Sequence, residues 1–156
     1  MRKPVALITG AGGEIGHGLI AKLTESGRQA VVTLDLNPLE PALGRLVQRE
    51  FTGSILDTAL LERILAEFEV DTVFHLAALL STRSEFTPET AHDVNVGGTI
   101  HLLRLAAEQA RSHGQRVKFV MLSTRMADSP ENRQRVAQQV LRQMTDERLQ
   151  LDDAKR

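Results

Sequence analysis

Gly10, Gly13 and Gly16 stand three residues apart, directly behind the apolar run Val5–Thr9. That arrangement suits one kind of chemistry, the binding of a diphosphate. A strand that ends in a turn without Cβ atoms lets the backbone approach a ligand closely. Glu14, Ile15 and Gly16 then open a helical pattern, whose free N–H groups and positive dipole end face the same ligand. Asp35 closes a second apolar run, 19 residues past Gly16. A carboxylate there accepts hydrogen bonds from a ribose diol. Together the two features point to a bound dinucleotide.

Other chemistry-bearing residues are fewer. The chain has no Cys, so disulfides, thiolate nucleophiles and thiolate metal sites are excluded. His75 lies inside a strand pattern and reads as a packed core histidine. His17 follows Gly16 and could touch a diphosphate, though a solvated side chain is the plainer reading. His92 and His101 are nine residues apart, which is not metal-ligand spacing, and no metal is expected. Arg83 and Arg125 fall where an anionic substrate group could be held, although solvated surface arginines are the plainer reading. None of these residues makes a convincing general base.

The elements that must position these residues alternate along the chain. Strand patterns cover Val5–Thr9, Val31–Leu36, a weak Phe51–Ile55, Thr72–Ala77 and Lys118–Ser123. Between them, Ile15, Leu19, Ile20 and Leu23 recur at helical spacing, as do Leu60, Leu61, Ile64, Leu65 and Phe68. Val96, Ile100, Leu103 and Ala107 do the same in a third helix. Continuous apolar strands alternating with amphipathic helices predict a parallel sheet covered on both faces. With right-handed crossovers the fold class is α/β and doubly wound, the glycine loop standing at the switch point. Pro38 and Pro41 keep any helix over residues 37–50 short or late, and Ser81–Glu89 reads as a loop. After Thr124 the pattern changes. Residues 125–156 hold no Gly and no aromatic residue, and Val136, Val140, Leu141 and Met144 form one apolar stripe. The expectation is a domain over 1–124 and a charged tail over 125–156, helical from about Pro130 to Leu149 and covering the sheet.

Composition narrows the partners. A chain of 156 residues with 42% hydrophobic and 25% charged residues is ordinary for one globular domain. A net charge of −1, with basic residues scattered among acids and few aromatics, argues against nucleic acid. The first apolar run is too short for a signal peptide or a membrane span. No membrane partner is expected, and a reducing cytoplasm suits the missing cysteines.

Five segments, in order over residues 5–124, resemble the extended short-chain dehydrogenase/reductase family, the NAD-dependent epimerases and dehydratases. The first is Gly10-x-x-Gly13-x-x-Gly16, with Ile15 before the last glycine. The second is Asp35, which the resemblance assigns to the adenosine ribose of NAD; a 2′-phosphate would meet its like charge. Gly53-Ser54-Ile55 stands where the family carries an adenine-bonding Asp, so Ser54 departs from the pattern while still able to accept a hydrogen bond. His75-Leu76-Ala77-Ala78 resembles the segment under the nicotinamide-side ribose, its small residues letting the cofactor lie against the backbone. Asn95-Val96-Gly97-Gly98-Thr99 resembles the segment whose Asn ties the central strands to the third helix. The resemblance implies a Rossmann-like sheet of about five strands in the order 3-2-1-4-5, with the C-terminal helix in place of the family's remaining strands. The run Ala77–Ser81 is also similar to the L-threonine dehydrogenase branch, in which such a Ser contacts substrate.

The same resemblance implies a catalytic Thr124 in Leu122-Ser123-Thr124, with Ser81 and Arg83 as substrate contacts. It also calls for a Tyr-x-x-x-Lys pair on the next helix, where the Tyr removes the substrate hydroxyl proton as hydride leaves. This sequence has no Tyr, and its sole Lys after Lys118 is Lys155. The match therefore covers the cofactor half, and turnover by this chain alone is not expected. A truncated or frame-shifted relative, an engineered fragment and a partner subunit all remain open. The leading expectation is an NAD-binding domain of an oxidoreductase or nucleotide-sugar enzyme, its substrate a nucleotide sugar or a small hydroxy amino acid. The alternative is an inactive NAD-sensing or dimerising regulatory protein, paired through the helix near Glu89–Ser112. A marginally folded product without function is the third reading.

Overall fold

The computed structural model describes residues 4–27, 29–79, 85–121 and 138. The chain divides into two compact units, residues 1–122 and 123–156, and the sheet lies in the first. Its strands are β1 (Val5–Thr9), β2 (Ala30–Asp35), β3 (Arg49–Thr52), β4 (Val70–His75) and β5 (Lys118–Met121). They pair in parallel in the order β3-β2-β1-β4-β5. This is the doubly wound sheet that alternating strands and helices predict, in the Rossmann-like order that the family resemblance implies. The central strand β1 is buried along its whole length, as a strand with helices on both faces must be.

Helices α1 (Glu14–Glu25), α2 (Pro41–Gly44) and α3 (Thr58–Glu67) follow the first three strands in turn. α1 buries Gly16, Leu19, Ile20 and Leu23, the stripe its spacing predicts apart from Ile15. α3 starts behind Asp57, whose carboxylate accepts the Leu60 N–H at 3.0 Å, an N-cap worth about 1 kcal/mol. It buries Leu60, Leu61 and Ile64 in one cluster with Val5, Leu7, Val32, Leu34, Phe51 and Val73. α2 is a single turn that begins at Pro41, where the fixed φ of proline is tolerated.

Three strands sit earlier than their apolar runs, β2 by a single residue at each end. β3 ends at Thr52 rather than Ile55, because Ser54 turns the chain: its carbonyl accepts the Asp57 N–H and its hydroxyl accepts the Leu56 N–H. β4 ends at His75 rather than Ala77, because its neighbour β1 stops at Thr9 and breaks into the glycine turn. The last rung is Leu76 N–H to Thr9 C=O at 3.0 Å.

The third helix is one helical run in three parts: α4 (Pro88–His92), a π-helical segment over Asp93–Gly98, and α5 (Thr99–His113). The apolar stripe named by its spacing faces outward. Val96, Ile100 and Leu103 are 44%, 42% and 47% exposed, whereas Leu102, Leu105, Ala106 and Gln109 are buried. The helix carries two apolar stripes. The buried one includes Gln109, whose amide oxygen takes the first N–H of β4, on Val70, at 2.9 Å. The Gly97–Gly98 pair lets the π segment settle onto the loop after β3: a Cβ on Gly98 would overlap Ile55 Cδ1. Among the described residues, no helix is long and apolar enough to cross a membrane. The expected tail helix lies outside the described residues, apart from the helical Gln138.

Candidate functional site

The glycine turn begins where β1 can go no further. Gly10 takes φ +70°, and its N–H bonds to Leu34 C=O at 2.9 Å. A Cβ at this position would lie 2.5 Å from Ala77 N and 2.7 Å from Ala77 Cα. The turn is therefore pressed against the Leu76–Ala78 segment that leaves β4. Gly13 closes the turn through its N–H to Gly10 C=O at 3.3 Å, and it stands at the N-cap of α1 with no side chain to cap it. The first N–H groups of α1, at Glu14, Ile15 and Gly16, accordingly have no capping side chain, which is the arrangement that binds a diphosphate. Gly16 is required by packing, since a Cβ there would overlap the Ala11 carbonyl oxygen.

Asp35 ends β2 beside this turn. Its Oδ2 accepts the Gly12 N–H at 2.9 Å and its Oδ1 accepts the Asn37 N–H at 3.0 Å. Two backbone donors thus fix the carboxylate plane, and a Cβ on Gly12 would lie 3.3 Å from Oδ2. The cleft in front has a volume of about 310 Å³ and is lined by Gly12, Gly13, His17, Asp35, Asn37 and Glu40, with Pro38 and Leu39. His17 is half-buried and lines this cleft. The lining loop 37–40 was missed by sequence reasoning, in which Pro38 registered as a helix breaker. A cleft wall between two prolines was the signal available there.

The other expected contacts divide into three groups. Ser54 does not line this cleft, and its hydroxyl serves the local turn described above. Ile55 is 5% exposed, with its side chain in the core beneath Gly98. Leu76, Ala77 and Ala78 run past Gly10, and Asn95 clamps the residue after them: Asn95 Oδ1 accepts the Leu79 N–H at 2.8 Å, and its amide donates to Leu79 C=O at 3.0 Å. Thr124, Ser81, Arg83 and Arg125 lie outside the described residues. Among the described residues, no group of three or more His, Asp or Glu side chains could hold a metal ion.

His75 is 4% exposed, with Thr9 Oγ1 2.8 Å from Nδ1 and Thr99 Oγ1 2.8 Å from Nε2. Thr99 spends its hydroxyl proton on Asn95 C=O at 2.6 Å, so it must accept from Nε2–H. The network thus fixes the proton at Nε2, and with burial favouring the neutral ring, Nδ1 is bare and receives the Thr9 hydroxyl proton. Burial holds the His75 pKa below its ordinary 6.5. The unfolded chain therefore takes up this proton first, and stability falls as pH drops below 6.5 towards the lowered value of the folded state. Each unit of lowering is worth about 1.4 kcal/mol. Urea unfolding at pH 8 and pH 5 is expected to show a smaller acid loss for His75→Asn than for the parent. Equal losses would contradict the neutral, buried ring.

Comparison with known proteins decides the family. The model for the NAD dependent epimerase/dehydratase family matches residues 6–145. The chain belongs to this family. An uncharacterized epimerase/dehydratase of Staphylococcus saprophyticus is 36% identical over 106 residues, which are 65% of this chain and 32% of that protein. Among solved structures, L-threonine dehydrogenase from Clostridium difficile matches with a TM-score of 0.64 and 31% identity, covering 78% of this chain and 36% of the other. UDP-glucose 4-epimerase from Bifidobacterium longum, in complex with NAD+ and UDP, matches with a TM-score of 0.60 and 27% identity, covering 76% and 36%. This family member thus spans about a third of the length of the relatives it matches, and both dehydrogenases and epimerases share its fold.

Proposed function

We propose that residues 1–124 are a cofactor domain that binds NAD, with residues 125–156 as a separate charged tail. The observation that carries this reading is the Asp35 carboxylate, held by two backbone N–H groups at the mouth of a glycine-rich turn and an uncapped helix. Asp35 takes the adenosine ribose diol. The N–H groups at Glu14, Ile15 and Gly16 face the diphosphate, with Gly13 shaping the turn in front of them, and Leu76, Ala77 and Ala78 give the nicotinamide-side ribose a flat wall. Gly10 permits the close approach that brings the two walls together. Ser54 and Ile55 shape the adenine end through backbone and packing.

When bound, NAD supplies a nicotinamide C4 that accepts or returns a hydride. Thr124 would hydrogen-bond the oxygen of a substrate carbinol, with Ser81 and Arg83 as neighbouring contacts. The substrate classes are those suggested by the similar structures, a small hydroxy amino acid or a nucleotide sugar. No residue of this chain is a tyrosine, so the proposal for it stops at cofactor binding and substrate contact. Isothermal titration is the direct test: micromolar-to-millimolar affinity for NAD, and weaker binding of NADP, are expected. No heat at millimolar NAD would remove the reading.

The exposed stripe Val96, Ile100 and Leu103 favours a second element, pairing with another copy of this chain along α4 and α5. Three large apolar side chains on one helical face are costly to leave in water and support such contact. Sedimentation should show dimers that Ile100→Glu dissociates. A parent that stays monomeric at high concentration would exclude the pairing, and with it the dimerising regulatory alternative.

A further inference from the structure

Five hydrogen bonds join residues that sequence spacing keeps far apart. β1 and β4 end side by side, so the last side chains of the two strands, Thr9 and His75, meet at 2.8 Å. The opposite ring nitrogen of His75 reaches Thr99, at the junction between the π segment and α5. There the Thr99 N–H bonds to Val96 C=O, and its hydroxyl goes to Asn95 C=O, the acceptor that a regular α turn would give to the N–H. The hydroxyl thus fixes the backbone of Asn95, whose side chain holds both backbone polar groups of Leu79. Leu79 lies four residues beyond His75, so the path closes on itself. Leu76 is pinned at the near end by Thr9 C=O. The segment Leu76–Leu79 is consequently tied at both ends, and it is the wall that faces Gly10.

We propose that Thr99 and His75 are positioning residues for the nicotinamide half of the cofactor site, acting through Asn95 and the Leu76–Leu79 wall. This rests on the NAD-binding reading above. Neither side chain needs to touch the ligand. Each has one acceptor and one donor available and uses both, so the network has a single arrangement: Thr9 hydroxyl to Nδ1, Nε2–H to Thr99, Thr99 hydroxyl to Asn95. Removing the Thr99 hydroxyl takes the acceptor from Nε2–H and the hydroxyl bond from Asn95 C=O, and the Asn95 clamp loses that anchor. The adenosine half does not depend on this network, because Asp35, Gly12 and the start of α1 are held by separate bonds.

That separation makes the test selective. ADP carries the adenosine and diphosphate but no nicotinamide riboside, so titration of the full chain with NAD and with ADP reads the two halves apart. Thr99→Val is expected to weaken NAD about tenfold while leaving ADP within twofold, and Thr99→Ser is expected to restore NAD. A uniform loss of both ligands, or no loss of either, overturns the proposal. Failure of the parent protein to bind NAD would instead overturn the reading beneath it. If Thr99→Val does not fold, the parent protein still decides: its His75 ring nitrogens, observed by NMR, should report the Nε2–H tautomer and shift on adding NAD but not ADP. A ring that responds equally to both ligands would also overturn the positioning role.

Discussion

Gly10→Ala is expected to abolish NAD binding and to destabilise the fold by about 3 kcal/mol or more, from strain plus overlap in a packed interior. Two separate costs meet at this residue. The first is conformational: a φ of +70° puts a Cβ too close to the following carbonyl, at about 1–2 kcal/mol. The second is steric: the new methyl would lie 2.5 Å from Ala77 N, which is backbone and cannot rotate away. Relief requires the glycine turn and the Leu76–Ala78 segment to part, and these form the two walls proposed to hold the cofactor.

Gly27→Ala separates the two costs. Gly27 has nearly the same backbone, φ +61°, yet a Cβ there would meet nothing within 4 Å. It should lose only the conformational share, about 1–2 kcal/mol, and keep its NAD affinity. Urea unfolding and NAD titration of the two variants give the comparison. Equal destabilisation, or NAD binding that survives in Gly10→Ala, would show that close approach is not what Gly10 is for.

The parts of this molecule that sequence made legible are those in which local spacing carries the physics. β1, the glycine turn, the start of α1 and Asp35 are local: a short apolar run, residues without Cβ, and a carboxylate at a strand end. The doubly wound class follows from alternation and crossover handedness, which are also local, whereas the order 3-2-1-4-5 is what the family resemblance implies. What the sequence hid depends on neighbours. The ends of β3 and β4 are decided by the Ser54 turn and by where β1 stops pairing, and neither appears in the apolar run itself. The helix over residues 88–113 carries two apolar stripes, and periodicity alone does not say which one the sheet takes. The π segment is equally hidden. It becomes intelligible once Ile55 is seen beneath Gly98 and Thr99 is seen bonding back to Asn95. His75 reads as a packed histidine from its strand position, but its two hydroxyl partners come from elements 66 and 24 residues away.

Asp35→Ala is expected to weaken NAD roughly 10- to 100-fold and to erase most of the preference over NADP. That range reflects the loss of hydrogen bonds to a charged acceptor, about 1.5–3 kcal/mol, at about 1.4 kcal/mol per tenfold. A second loss is local. Gly12 N–H and Asn37 N–H both end on this carboxylate, so its removal frees the turn and the cleft loop together. NADP should respond differently, because its 2′-phosphate meets the Asp35 charge in the parent and no charge in the variant. Its affinity therefore stays level or rises while that of NAD falls. Asp35→Asn distinguishes the two contributions: it removes the repulsion while keeping one acceptor oxygen for the backbone. If the carboxylate acts mainly by charge, Asn should relax the preference nearly as far as Ala; if it acts mainly as a double acceptor, Asn, whose NH2 would face one of the two backbone donors, should lose nearly as much NAD affinity as Ala. Titration of both variants with both dinucleotides reads this directly, and an unchanged preference in Asp35→Ala would remove Asp35 from the ribose site.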